Sequence, residues 1–133
     1  MSGLEAYNLV IIDDDPGVLY ALSLVLQTMG WEVKSFERPT KAVEYIKNPD
    51  NKCDLVITDL RMPELSGMAV LEKIRKEMPD LPVVMISGHA TQQERDKAKA
   101  LGAWGVLGKP FDADELRGLL SAVKNGIDKA QVG

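Results

Sequence analysis

Cysteine and histidine are almost missing from this chain, with one of each in 133 residues. No intrachain disulfide can form, and a Cys/His metal site, which draws three or four ligands from those residue types, is excluded. Cys53 directly precedes an apolar run and reads as a partly buried free thiol. No apolar stretch approaches the roughly 20 residues a membrane-spanning helix needs, and Met1 to Asn8 has neither the basic region nor the apolar segment of a secretion signal. A cytoplasmic location without membrane contact is expected. Consecutive blocks of Lys or Arg are also absent and the formal charge is −4, so direct nucleic-acid binding by this chain is not expected. Any effect on DNA would need another domain or chain.

What is present suits one folding unit. With 45% hydrophobic residues the chain can bury a core without staples. A single domain is expected over 1–133, with its core at about 8–124 and loosely held ends at 1–7 and 127–133. Four short apolar runs stand out: Leu9 to Ile12, Leu55 to Thr58, Val83 to Ile86, and Val106-Leu107. Each is followed at once by polar residues or glycine, and their continuous hydrophobicity suits parallel strands covered on both faces. Trp31 to Phe36 reads as a further strand.

Between the strands lie segments of helical period. Leu19, Leu22, Leu26 and Met29 form one stripe, ending at Gly30 as a left-handed cap. Leu71, Ile74 and Met78 form another, and Leu116, Leu119, Leu120, Val123 and Ile127 a third. Thr40 to Lys47 reads as a short helix. Thr91 with Glu94, and Asp112 with Glu115, have capping-box spacing and mark two helix starts. Five strand–helix alternations predict an α/β fold: a doubly wound (βα)5, flavodoxin-like three-layer sandwich with parallel strand order 2-1-3-4-5.

In such a sheet, ligands bind beyond the carboxyl ends of the strands, near the point where strand order reverses. Asp13-Asp14-Asp15 follows the first apolar run and Asp59 the Leu55 to Thr58 run, so three or four carboxylates converge on one edge. Asp15, before Pro16, reads as a helix cap. Asp13, Asp14 and Asp59 need another reason to share a site, because like charges repel. A hard divalent cation supplies one, and Mg²⁺ suits a sparse set of oxygen ligands. Ser87 ends the fourth-strand run and Lys109-Pro110 the fifth, adding a hydroxyl and a cation to the same edge. That combination suits a transferred phosphoryl group.

With these residues in order, the sequence resembles the response-regulator receiver family from about Leu9 to Ala122. The motifs are Ile11-Ile12-Asp13-Asp14, Asp59-Leu60-Arg61-Met62-Pro63 with Gly67, Ser87 closing a strand, and Lys109-Pro110-Phe111. The resemblance implies that Asp59 accepts the phosphoryl group. It implies metal binding through Asp14, Asp59 and the backbone carbonyl of Arg61, with Asp13 orienting metal-bound water. It also implies that Lys109 pairs with the acyl phosphate, Ser87 hydrogen-bonds it, and the Lys109-Pro110 bond is cis. The implied partners are a sensor histidine kinase or histidine phosphotransfer protein and an unidentified output domain or protein. Output is expected on the fourth helix, fifth strand and fifth helix, roughly Thr91 to Val123.

One position departs from the family pattern: Val106 stands where similar proteins often carry Tyr or Phe. By strand alternation, Trp104 could face the same side. Arg61 and His89, two residues beyond Asp59 and Ser87, are expected to tune access of hydrolytic water. The chain is expected to act only on its own phosphorylation and not as a turnover enzyme. A haloacid-dehalogenase-like Mg²⁺ phosphohydrolase would carry an acid where Arg61 stands. A nucleotide-binding module would want glycines after the first strand, where three aspartates stand instead. A receiver-like binding module that works without phosphorylation is the remaining alternative.

Overall fold

The computed structural model describes residues 7–132. The chain runs β1 (Asn8–Ile12), α1 (Pro16–Thr28), β2 (Glu32–Phe36), α2 (Pro39–Lys47), β3 (Leu55–Asp59), α3 (Gly67–Glu77), β4 (Val83–Ser87), α4 (Gln92–Ala100), β5 (Gly105–Gly108) and α5 (Ala113–Val132). The strands form one parallel sheet in the order β2-β1-β3-β4-β5, as the alternation of elements predicts. Residues 1–6 and 133 of the expected loose ends lie outside the described residues, and α5 continues as helix to Val132.

Position in the sheet follows from composition. β3 and β4 are buried at every residue and β1 at all but its first, so they fill the centre. β2 reads Glu-Val-Lys-Ser-Phe and buries none of its residues fully, which confines it to an edge. Alternate side chains point to opposite faces. Leu9, Ile11, Leu55, Ile57, Val84, Ile86 and Leu107 meet Leu19, Leu22 and Leu26 of α1 and Leu116, Leu120 and Val123 of α5. Val10, Ile12, Val56, Val83 and Met85 meet Ala42, Val43 and Ile46 of α2, Val70, Leu71 and Ile74 of α3, and Ala98 of α4. Each fully buried aliphatic side chain contributes about 1.5–3 kcal/mol.

The helix boundaries have local causes. Asp15 caps α1, accepting from the backbone N–H groups of Gly17 at 2.8 Å and Val18 at 3.4 Å, with Pro16 in the first turn. The helix stops where Gly30 adopts φ +90° and the N–H of Trp31 bonds back to Leu26 O, the cap that glycine permits. Thr91 and Glu94 form a reciprocal capping box on α4, and Asp112 accepts from the N–H groups of Asp114 and Glu115 at the start of α5. Strand order reverses at β1, with α1 and α5 on one face and α2 to α4 on the other, which opens a crevice beyond the carboxyl ends of β1 and β3.

Candidate phosphoacceptor and metal site

Asp13, Asp14, Asp59, Ser87 and Lys109 all lie at that carboxyl edge. β1 ends at Ile12, so Asp13 and Asp14 follow it directly; Asp59 and Ser87 close β3 and β4; Lys109 follows β5. Asp13, Asp59 and Ser87 are buried whereas Asp14 is exposed. One carboxylate oxygen from each of Asp13, Asp14 and Asp59 falls within 4.8 Å of the others.

Lys109 answers part of this negative charge. Its Nζ lies 2.8 Å from Asp13 Oδ2 and 3.3 Å from Asp59 Oδ1. Burial acts to lower the ammonium, but contacts with Asp13 and then Asp59 outweigh it and hold Lys109 above its ordinary value. Burial and then repulsion by Asp13 raise the Asp59 carboxyl, against a smaller opposing pull from Lys109. Two buried carboxylates, Asp13 and Asp59, face one ammonium, with Asp14 open to solvent beside them, an excess of negative charge that a further cation would offset.

The geometry around Asp13 points the same way. Its Oδ1 accepts from the Asp15 N–H at 2.9 Å. Its Oδ2 is buried and takes no directional hydrogen bond, leaving only the charge contact with Lys109. An oxygen-only donor set with two buried carboxylates and a third open to solvent fits Mg²⁺. Ser87 Oγ accepts from the His89 N–H at 3.2 Å, so the hydroxyl can donate its own proton into the site. The Lys109-Pro110 peptide is cis, and the Lys109 N–H bonds to Ser87 O at 2.8 Å, fixing the lysine beside the end of β4.

Gly67 sets the back of the site. A Cβ on this first residue of α3 would lie 2.1 Å from Asp59 O and 2.9 Å from Leu60 Cα. Only a glycine lets α3 approach the backbone of the phosphoacceptor candidate so closely.

Trp104 does not share a side with Val106. Its ring lies against Gly126 of α5, whereas Val106 packs with the α2–α4 side cluster. Trp104 precedes β5, just after the turn at Gly102 with φ +92°, so strand alternation does not extend to it. It also stands at the opposite end of β5 from Lys109. Arg61 Nη2 donates to His89 O at 3.1 Å and to Glu94 Oε1 at 2.6 Å. Glu94 was legible in sequence only as a helix cap; its contact with a side chain 33 positions away has no local signal.

Comparison with known proteins agrees with this geometry. Residues 9–121 match the family described as response regulator receiver domain. The chain is similar to transcriptional regulatory protein GlrR of Escherichia coli (strain K12), at 36% identity over 109 residues, covering 82% of this chain and 24% of that protein. It is similar to response regulator protein TodT of Pseudomonas putida at 33% identity over 118 residues, 89% of this chain and 51% of that one. Among solved structures, a response regulator receiver domain protein from Clostridium thermocellum superposes with a TM-score of 0.84 at 30% identity, covering 95% of this chain and 98% of that one. The chain spans about a quarter of the length of the first curated relatives it matches. On the match over residues 9–121 and the shared sheet order, the chain belongs to the response regulator receiver domain family.

Proposed function

We propose that this chain is a phosphoacceptor switch of a two-component phosphorelay, receiving a phosphoryl group on Asp59 from a phosphohistidine of a sensor histidine kinase or histidine phosphotransfer protein. The observation that carries this reading is the buried Asp59 carboxylate 3.3 Å from Lys109 Nζ, inside a cluster whose third member, Asp14, is open to solvent. An O–P bond forms at Asp59 while the donor's P–N bond breaks, and that electron pair returns to the imidazole ring. A carboxylate attacking an anionic phosphoryl group must overcome like-charge repulsion.

Each residue takes one part of that task. Lys109 places a fixed positive charge against the phosphoryl oxygens, and the Ser87 hydroxyl donates to one of them. Asp13, Asp14, Asp59 and the backbone carbonyl of Arg61 would hold Mg²⁺, which when bound supplies the charge neutralisation that the carboxylates lack. Arg61 stands where a dehalogenase-like hydrolase would need an acid, which favours a switch that acts on its own phosphorylation over a turnover enzyme. The product signals through the face formed by α4, β5 and α5 to an output domain or protein. The reading takes residues 1–133 as a single receiver domain working in the cytoplasm; among the described residues no helix is long and apolar enough to cross a membrane.

The test is intact mass of wild-type and Asp59→Asn protein after incubation with Mg²⁺ and a small-molecule phosphodonor, with EDTA as control. A single Mg²⁺-dependent phosphoryl adduct, labile in base and missing from the variant, is expected. Folded wild-type protein that takes no adduct from the small donor or from a histidine kinase would overturn the reading in favour of a binding module that works unphosphorylated.

A further inference from the structure

We propose that the Arg61 side chain is a clasp that ties the Asp59 edge of the sheet to the N-terminus of α4 and transmits changes at Asp59 to that helix. Arg61 follows Asp59 by two residues, and its guanidinium crosses to the segment after β4. There one nitrogen, Nη2, grips two groups: His89 O at 3.1 Å and Glu94 Oε1 at 2.6 Å.

Both contacts reach residues with a second duty. The N–H of His89 donates to Ser87 Oγ at 3.2 Å, so the residue whose carbonyl Arg61 holds also orients the hydroxyl at the phosphoacceptor edge. Glu94 closes the capping box of α4: its Oε1 accepts from Thr91 N at 3.0 Å and Thr91 Oγ1 at 3.2 Å, while Thr91 Oγ1 accepts from the Glu94 N–H at 3.0 Å. Displacement of the segment after Asp59 therefore pulls on the loop that aims Ser87 and on the carboxylate that caps α4. α4 depends on that cap: only Ala98 of its nine residues is buried, so little packing holds its first turn in place. At the other side of the helix, Arg95 Nη1 donates to Val106 O at 3.2 Å, so movement of the first turn reaches β5 at the position where an aromatic side chain is absent.

The clasp itself stands on these contacts alone; its role in transmission rests on the phosphoacceptor reading of Asp59, and the test separates the two. Glutamine at the third helical position still completes a capping box, so Glu94→Gln removes the charge pair with Arg61 while keeping the cap. In the first measurement, without phosphodonor, amide hydrogen exchange is followed at Glu94 and Arg95. Arg61→Ala and Glu94→Gln should each speed exchange there by roughly two- to fivefold, the range of an exposed ion pair. The double variant should exchange no faster than the faster single one. Unchanged exchange, or a double variant equal to the product of the singles, overturns the clasp.

In the second measurement, wild-type and Glu94→Gln proteins receive Mg²⁺ and a small-molecule phosphodonor. The Asp59 adduct should form on both, while the amide chemical-shift changes over Thr91 to Asp96 on phosphorylation fall to about half or less in Glu94→Gln. Equal shift changes in the two proteins overturn transmission. Absence of an adduct on wild type refutes the phosphoacceptor reading and transmission with it, and the clasp is then decided by the exchange measurement.

Discussion

Replacing Gly67 with alanine should both destabilise the fold and disturb the phosphoacceptor, because the obstacle is the backbone of Asp59 itself. The new Cβ would meet Asp59 O at 2.1 Å, Asp59 C at 2.9 Å and Leu60 Cα at 2.9 Å. No flexible side chain can give way, so α3 or the end of β3 must move. Overpacking of this kind costs about 1–3 kcal/mol. The bond from the Gly67 N–H to Leu60 O, 2.8 Å long, would stretch or break at a cost of about 0.5–1.5 kcal/mol. The sum is about 1.5–4.5 kcal/mol. With an unfolding entropy of about 2.1 cal/mol/K per residue, a chain of this length gives roughly 0.28 kcal/mol per degree, so Tm should fall by about 5–16 °C. Thermal unfolding followed by circular dichroism measures this, with Gly88→Ala as the control because a Cβ there meets nothing within 4 Å. The same variant should accept phosphoryl groups more slowly, since a shift of the Asp59 backbone disturbs the 3.3 Å spacing of its carboxylate from Lys109 Nζ. A Gly67→Ala protein melting within about 2 °C of wild type would refute the steric argument.

Further outcomes follow from the charge distribution. Lys109→Met should slow formation of the Asp59 adduct about a hundredfold or more, because it removes the fixed cation facing the phosphoryl oxygens; the time course of intact mass reads this directly. Because burial and Asp13 raise the Asp59 carboxyl in the folded state, the folded protein binds that proton more readily than the unfolded chain. The ionised form therefore weakens the fold at neutral pH, and the penalty fades as pH falls through the folded-state value. Asp59→Asn should accordingly melt higher than wild type in EDTA at pH 7–8, with the gap closing in acid. Mg²⁺ should raise the wild-type Tm by an amount equivalent to about 2.7 kcal/mol at a hundred times Kd, reversibly with EDTA, and Asp14→Asn should shift the Mg²⁺ titration to higher concentration. Burial pushes the Cys53 thiol up to about 12 from the ordinary 9.0, leaving about a thousandfold less thiolate at pH 8. Native protein should therefore resist a thiol reagent that labels the urea-unfolded chain within minutes.

The strand count, the helix starts and the edge bearing the acids were legible in the amino-acid order because each has a local cause. Continuous apolar runs mark strands covered on both faces, and Trp31 to Phe36 reads as a further strand. Asp15, Thr91 and Gly30 act within a few residues of themselves, so their capping roles read directly from spacing. Asp13, Asp59, Ser87 and Lys109 could be gathered at one site because a parallel sheet brings all strand ends to the same edge. Distance and direction were not legible in that way. That Lys109 contacts both Asp13 and Asp59, that Asp13 Oδ2 is buried without a directional hydrogen bond, and that Gly67 touches the Asp59 backbone all depend on how β1, β3, β5 and α3 are placed against one another. Trp104 shows the limit of period-two reasoning, since a residue just outside its strand follows the turn and not the pleat. The reach of Arg61 to Glu94, across 33 positions of sequence, is a product of tertiary packing: a side chain of the loop after β3 meets one in the first turn of α4 only once the sheet has fixed where both stand.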